Sequence, residues 1–184
     1  MHKIRVNFHC WIIIFLIILF AFSFFYNQTR EVLLQPTEIR RIFVTGAVFN
    51  GDLGGLAGAD QKCQDIANVA GLMGTWKAWL GDSMTNVEDR LMHHTGQYVR
   101  AGDGFVVAEG WDDLFNGNLA APIVLDEQGN DLGSVRVWTG DRDFSCNNWG
   151  SSLYRDRGQV GISDSVDNYW RSISQDVCTV PEHI

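Results

Sequence analysis

The longest uninterrupted run of hydrophobic positions lies near the start of the chain, over residues 9–26. It contains no charged residue, and Lys3 and Arg5 precede it, whereas the next basic residue is Arg30. A helix of about 18 apolar residues is just long enough to cross a bilayer, and basic residues before it keep that end in the cytoplasm. The pattern therefore predicts a membrane-spanning helix, with residues 1–8 in the cytoplasm.

The same segment has features of a secretory signal peptide, because a basic region precedes an apolar one. A signal peptidase needs small residues at its cleavage site, but residues 20–26 are mostly bulky aromatic side chains. The sequence favours an uncleaved signal anchor and leaves the cleaved alternative open. In both cases the residues that follow this segment are expected in the periplasm or at the cell exterior. Residues 27–40 are polar, include Pro36 and are predicted to form a short stalk.

Helical periodicity is clearest at the start of residues 41–184, the predicted ectodomain. Apolar side chains recur three and four positions apart, and Gly71 follows them as a C-terminal stop. The residues on this stripe are Ala59, Cys63, Ile66, Ala67 and Ala70. They predict an amphipathic helix over residues 59–70 with Cys63 facing inward. A capping-box spacing from Thr85 to Glu88 predicts a second, short helix over residues 86–92.

The rest of this domain alternates short apolar stretches with turn residues, which is typical of short strands and long loops. Predicted strands cover residues 41–50, 76–81, 98–100, 105–108, 123–126 and 135–139, and a helical turn covers residues 111–117. No periodicity is visible from Gly140 to Asn168, and such a long loop is usually functional or covalently tied down. The predicted fold class is α+β, with short antiparallel strands, one or two helices and long loops.

Charge narrows the choice of partners. Residues 41–184 contain 20 Asp and Glu against 10 Lys and Arg, which leaves a net charge of −10. A field of that sign repels phosphate backbones, so we expect no nucleic acid partner. The same argument disfavours a heparin-type polyanion. The expected partners are a glycan or a protein, besides the membrane that residues 9–26 would enter.

Three cysteines lie in the predicted ectodomain: Cys63, Cys146 and Cys178. None has the C-x-x-C spacing, so the sequence does not support zinc or thioredoxin-type redox chemistry. Export from the cytoplasm makes disulfides possible. Three cysteines can form only one disulfide within the chain, so the state of the remaining cysteine needs an explanation.

Several blocks of this domain resemble a known family. Ile-Phe-Val-Thr-Gly at residues 42–46, Gly-Gly-Leu-Ala-Gly-Ala-Asp-Gln-Lys-Cys-Gln at 54–64 and Thr-Trp-Lys-Ala-Trp-Leu at 75–80 are similar to the bacterial endostatin-like surface domains. The leptospiral endostatin-like adhesins are the named members. The order of the helix cysteine, Val-Trp-Thr-Gly and Cys-Asn-Asn-Trp also resembles the C-type-lectin-like fold. The resemblance extends over nearly all of residues 41–184.

The resemblance implies a looped α+β domain exposed at a bacterial surface, with a set of disulfides. Matched by order, Cys146 pairs with Cys178 across the long loop. Cys63 would pair with a cysteine beyond Ile184, where this chain stops. We therefore expect Cys63 to be unpaired and buried, with a Cys63–Cys178 bridge as the alternative.

Most of the candidate ligand-binding residues lie in the long loop. Tryptophan provides a large contact area at little entropic cost, so it is enriched at binding hot spots. Trp149 stands beside Asn147, Asn148 and Ser151, a mixture suited to sugar or protein contacts, and Trp111 is the second candidate. Core packing is the alternative for Trp149, because it follows Cys146 by three positions. The tryptophans expected in the core are Trp76, Trp79, Trp138 and Trp170.

Other chemistry has weaker support. His93 and His94 are adjacent and point in different directions on most backbones, so a zinc site is not expected. Loop carboxylates could ligate calcium through oxygen, with a solvated acidic loop as the alternative. They are Asp141, Asp143, Asp164 and Asp167. A hydrolase that used the Asp112–Asp113 cluster would also need a second catalytic carboxylate at a suitable distance from it. The sequence does not locate one.

The sequence thus favours a membrane-anchored, lectin-like binding module that needs no catalysis, metal or cofactor. The alternatives are an envelope hydrolase with an acidic cluster and a structural envelope protein that binds a partner subunit. The expected contact surface is the loop from Gly140 to Asn168, centred on Trp149.

Overall fold

A computed structural model describes residues 16–23, 26, 39–140 and 142–184. The chain divides into two units, Met1–Thr37 and Glu38–Ile184. Residues 16–23 and 26 are helical. Among the described residues, no helix is long and apolar enough to cross a bilayer. Most of the predicted stalk, residues 1–8 and part of the apolar run over 9–26 lie outside the described residues.

One three-stranded sheet forms in the first half of the domain, in the order β1-β2-β3. Its strands are β1 (Arg40–Ile42), β2 (Tyr98–Arg100) and β3 (Val106–Ala108). Strand β1 is parallel to β2, which forms the predicted antiparallel hairpin with β3. The long strand predicted over residues 41–50 is wrong beyond Ile42. After Ile42 the backbone no longer pairs with β2. Instead, the Val44 amide donates a hydrogen bond to the Leu125 carbonyl oxygen, and the Thr45 amide donates one to that of Ile184.

A second sheet has the order β4-β5-β6, and both of its pairings are antiparallel. Its strands are β4 (Arg136–Trp138), β5 (Arg157–Ile162) and β6 (Ser174–Val177). The central strand β5 lies within the stretch Gly140–Asn168, so the prediction of an unbroken loop there is wrong. Residues 123–126 do not form the predicted strand. Instead Asp126 begins a turn, in which its carboxylate accepts hydrogen bonds from the amides of Gln128 and Asn130.

Two glycines explain why the sequence of β5 lacks a clear strand pattern. A Cβ on Gly158 would lie 2.6 Å from the Trp138 ring, and a Cβ on Gly161 would lie 1.8 Å from the Trp170 carbonyl oxygen. Both positions require glycine because neighbouring groups approach the backbone too closely for a side chain. The strand is therefore specified by tertiary contacts rather than by β-propensity.

The predicted amphipathic helix is present as α1 (Gly55–Val69) and begins four residues earlier than expected. Gly54, at φ 81°, supplies the left-handed conformation that precedes it. Ala59, Cys63 and Ala67 are buried on its inner face, which confirms the predicted orientation of Cys63.

Residues 76–81, predicted as a strand, pair with side chains of α1 instead of with another strand. Gln64 accepts a hydrogen bond from the Trp76 amide, and Asp60 accepts one from the Ala78 amide. Because these backbone donors are satisfied by a helix, no strand neighbour is needed.

The remaining helices are short: α2 (Val87–Arg90), α3 (Trp111–Asn116) and a 3-10 turn, Asn168–Trp170. Helix α3 confirms the predicted helical turn. The predicted helix over 86–92 is reduced to α2, and Asn86 stands at its N-cap position without a capping side-chain bond. The capping box from Thr85 to Glu88 is therefore wrong.

Two hydrophobic clusters hold the domain together, and the fold is α+β as predicted. One contains the inner face of α1 with Trp138 and Trp149. The other packs β2 and β3 against α3 and includes Trp111 and Trp170. The tryptophans proposed as ligand contacts, Trp149 and Trp111, therefore belong to different clusters.

Candidate ligand-binding site

The centre of the predicted contact loop is buried. Trp149 has no exposed surface, and its indole N–H donates a 2.7 Å hydrogen bond to the Gly81 carbonyl oxygen. Ser151 is also buried, and its hydroxyl donates to the Asp156 carboxylate. Trp149 is therefore a core residue, and its assignment as a surface contact is wrong.

Asn147 and Asn148 are exposed, but their conformation gives the pair a backbone role. Residues Cys146–Trp149 form one left-handed turn, with four successive φ values between 48° and 60°. Asparagine tolerates this region better than most residues. In addition, the Asn148 side chain accepts a 3.0 Å hydrogen bond from the Ser83 amide. Asn147 and Asn148 therefore have a structural role: they form part of the left-handed turn that ends at the buried Trp149.

The cysteines adopt the pairing that the resemblance implied. Cys146 and Cys178 form a disulfide, and both are fully buried. Cys63 is free and buried. Burial, assisted by the negative charge of Asp60, raises the pKa of the Cys63 thiol to about 12, although Arg90 acts in the opposite direction. A thiol with that pKa is protonated at neutral pH and is a poor nucleophile.

A cavity of about 720 Å³ lies between the two sheets and the segment that follows α1. Most of its wall is apolar, and its size falls within the range of small-molecule binding sites. The tryptophans that line it are Trp76, Trp79, Trp111, Trp138 and Trp170. Trp111 is thus the one candidate contact residue from the sequence that the structure brings to the cavity, although it is 6% exposed.

The aromatic wall is held together by ring contacts. The Trp79 ring centroid lies 5.4 Å from that of Trp111 and 4.8 Å from that of Trp170. His93 stacks on Trp111, with 4.1 Å between the two ring centroids. Offset and edge-on arrangements of this kind are favourable beyond the burial of area alone, so they hold the rings of the wall in fixed orientations.

Two indole N–H groups of the cavity wall have no hydrogen-bond partner among the described residues. They belong to Trp76 and to Trp170, which is only 5% exposed. By contrast, Trp138 donates to the Phe49 carbonyl oxygen and Trp149 to that of Gly81. A buried donor without an acceptor is unfavourable and needs an explanation. Both nitrogen atoms are shielded from solvent, so neither is open to a ligand in the cavity.

Basic side chains also line the cavity. The lining contains Arg40, Arg41, Lys77 and Arg90 against the single carboxylate of Asp89. The Arg90 guanidinium is already bound to Asp60 and to the carbonyl oxygens of Ala78 and Leu80. Arg41 and Lys77 are exposed at the cavity. The cavity is therefore locally basic within an acidic domain.

The acidic and metal-binding candidates lie elsewhere. Asp112 and Asp113 are in the first turn of α3, where negative charge is favourable beside the helix N-terminus, and neither lines the cavity. Asp167 accepts a hydrogen bond from the Tyr169 amide, and Asp141 lies outside the described residues. In the part of the chain that the structure describes, no group of three His, Cys, Asp or Glu side chains is placed to hold a metal ion.

The sequence analysis missed this cavity because its tryptophans lie in separate segments between residues 76 and 170. Only the folded chain brings them to one wall. The signal that was present is their number, since five of the seven tryptophans of the chain line the cavity.

The fold and the cavity define a small α+β domain with an aromatic cavity. The chain belongs to DUF1554, a family of proteins of unknown function, which matches residues 46–166. The matched region contains Trp76, Trp79, Trp111 and Trp138, whereas Trp170 and Cys178 lie beyond it. No curated protein matches the chain.

Proposed function

We propose that this protein is a non-catalytic binding module that takes part of a glycan or protein ligand into the aromatic cavity. The observation that carries the proposal is the aromatic wall of the cavity, to which five tryptophans contribute. Their rings offer flat apolar faces for contact with a ligand.

The resemblance to bacterial endostatin-like surface domains and to C-type-lectin-like folds supports a binding role. The supporting features are a helix cysteine, a bridged long loop and short sheets, all of which occur here. A fold alone does not define a ligand, so the proposal rests on the cavity. The contact residues are Trp111, Trp76 and Trp170 rather than the loop around Trp149.

Three substitutions test the site. Trp76→Ala removes a partly exposed ring from the cavity wall, so affinity for a ligand selected from glycan and peptide arrays should fall about tenfold. Trp149→Phe is the control outside the cavity: it removes an N–H that is already bonded, so stability should fall and affinity should not change. Trp170→Phe removes an N–H that has no partner, so stability should not fall. Equal affinity of Trp76→Ala and the unsubstituted protein would contradict the proposal.

We also propose that residues 9–26 anchor the domain outside the cytoplasm, either as a signal anchor or, transiently, as a signal peptide. The supports are the uncharged apolar run behind Lys3 and Arg5 and a buried disulfide, which is rare in the cytoplasm. Protease added to intact spheroplasts should digest the domain over residues 41–184. Complete protection, with digestion after lysis, would contradict the proposal.

A further inference from the structure

The buried part of the cavity wall has few polar side-chain groups that are free to bond a ligand. The hydroxyls of Tyr98, Thr139 and Ser163 each donate to a backbone carbonyl oxygen. The indole nitrogens of Trp76 and Trp170 are shielded from solvent. Most of the other side chains there are apolar. A sugar placed against this wall would bury hydroxyls without partners, which is unfavourable, so the wall is better suited to an apolar group.

The exposed lining residues form the mouth of the cavity: Arg41, Thr75, Lys77, Asp89 and Met92. Two lining aromatic residues stand beside the basic ones in the sequence. Phe43 follows Arg41 by two positions, and Trp76 directly precedes Lys77. The rings of Phe43 and Trp76 are both half-buried, and their centroids are 4.8 Å apart. This contact brings the segments of both basic residues together at one aromatic entrance.

The mouth has two positively charged side chains and one negatively charged side chain. Arg41 and Lys77 have no ion pair among the described residues, whereas Asp89 accepts a hydrogen bond from the Asn86 side chain. Residues 41–184 contain twice as many acidic as basic residues, so they repel a partner with many negative charges. One carboxylate at the mouth would gain the local attraction without much of that repulsion.

From these features we infer that the cavity takes a large apolar side chain of a protein partner, and that an adjacent Asp or Glu of that partner lies at Arg41 and Lys77. This rests on the proposed binding function and selects the protein rather than the glycan as the ligand. The apolar side chain would pack against the aromatic rings without leaving a polar group unpaired. The partner's carboxylate would stay at the exposed mouth, where an ion pair contributes modestly.

The probes are blocked pentapeptides, acetyl-Gly-Ser-X-Y-Gly-amide, in which X is Phe or Ala and Y is Glu or Gln. Each is titrated against the full chain by tryptophan fluorescence and NMR, which detect weak binding. The Phe peptides should bind about tenfold more tightly than the Ala peptides, as for burial of an aromatic side chain. Glu should improve binding about threefold over Gln at low salt, as for an exposed ion pair. That smaller difference should disappear at high salt.

Substitutions in the protein locate the two preferences. Trp76→Ala should reduce the preference for Phe, because it removes a ring of the entrance. The double variant Arg41→Gln/Lys77→Gln should abolish the preference for Glu and keep that for Phe. The matched control is Arg155→Gln/Arg157→Gln, which removes the same charge at exposed positions away from the cavity and should keep both preferences. Equal loss of the preference for Glu in both double variants would overturn the inference, because the attraction would then arise from overall charge.

Other outcomes separate this inference from the proposed function. If the Ala peptides bind as tightly as the Phe peptides, no apolar side chain enters the cavity and the inference is wrong. If trisaccharides of glucose, galactose or mannose bind more tightly than every peptide and Trp76→Ala weakens them, the inference is wrong and the binding cavity stands. If no peptide and no sugar binds, both proposals fall.

Discussion

The Trp149 indole N–H and the Gly81 carbonyl oxygen are 2.7 Å apart and join segments separated by 68 positions in the sequence. Both residues are buried. Trp149→Phe would leave the Gly81 oxygen without its donor, so the free energy of unfolding should fall by about 1–3 kcal/mol. Urea unfolding followed by circular dichroism measures the change. A loss as small as that of Trp170→Phe would show that the bond contributes little.

Gly161 should tolerate no side chain. A Cβ there would lie 1.8 Å from the Trp170 carbonyl oxygen, so Gly161→Ala must displace β5 or the 3-10 turn. Overpacking of this kind should lower the free energy of unfolding by about 3 kcal/mol. Gly150→Ala is the control, since its Cβ would meet its nearest neighbour at 3.5 Å. Equal stability of the two variants would contradict the packing seen around β5.

The left-handed turn predicts opposite effects for two substitutions at Asn147, where φ is 55° and ψ is 58°. Asn147→Val should lower the free energy of unfolding by about 1–2 kcal/mol, because a β-branched residue is disfavoured in this conformation. Asn147→Gly should preserve stability, because glycine adopts it without strain. The side chain is exposed, so chemical denaturation of both variants reports the backbone. Similar losses for Val and Gly would indicate a side-chain role instead.

The two kinds of cysteine should react differently. Without denaturant, Cys63 should resist alkylation, because burial raises its pKa to about 12. In denaturant it should react fully, as mass spectrometry would show. Replacing Cys146 and Cys178 by Ala should lower the free energy of unfolding by roughly 3–4 kcal/mol, as estimated from the length of the closed loop. Rapid alkylation of Cys63 in the native protein would contradict its placement inside the domain.

Stability should depend on pH through Glu182. Burial raises the pKa of this carboxyl to about 7, with Arg136 opposing the shift and Asp176 adding to it. Because the folded-state pKa is raised, the contribution of Glu182 to stability is complete below its ordinary pKa of 4.5 and is lost as pH rises through about 7. Urea unfolding of the unsubstituted protein should therefore show this loss between about pH 4.5 and 7.

Glu182→Gln should remove that part of the pH dependence, since the amide stays neutral at every pH. The exposed substitution Glu109→Gln is the control and should leave the pH profile as it is. A profile that is unchanged by Glu182→Gln would contradict the assigned shift.

Local pattern predicted the elements whose partners are close in the sequence. The stripe that includes Ala59 and Cys63 predicts α1, and the apolar alternation predicts the hairpin of β2 and β3. Strand β5 could not be predicted in this way, because Gly158 and Gly161 are required by contacts with Trp138 and Trp170. Those contacts exist only after distant segments have packed together.

The same limit applies to the candidate site. Trp149 and Trp170 have similar local sequences, since an asparagine lies one or two positions before each of them. They differ in whether a carbonyl oxygen lies within reach of the indole N–H: Gly81 supplies one to Trp149, whereas Trp170 has none among the described residues. A long-range hydrogen bond therefore separates the core residue from the candidate contact residue.

Residues 182–184 join the beginning of the domain to its second sheet. Glu182 pairs with Phe49 through two backbone hydrogen bonds, the Ile184 carbonyl accepts from the Thr45 amide, and His183 bridges to Val137 in β4. Residues 182–184 must therefore leave the ribosome before residues 45–49 acquire these partners. Contacts of such sequence separation slow folding, so residues 45–49 of a newly made chain stay without these partners while more than 130 intervening residues are synthesised.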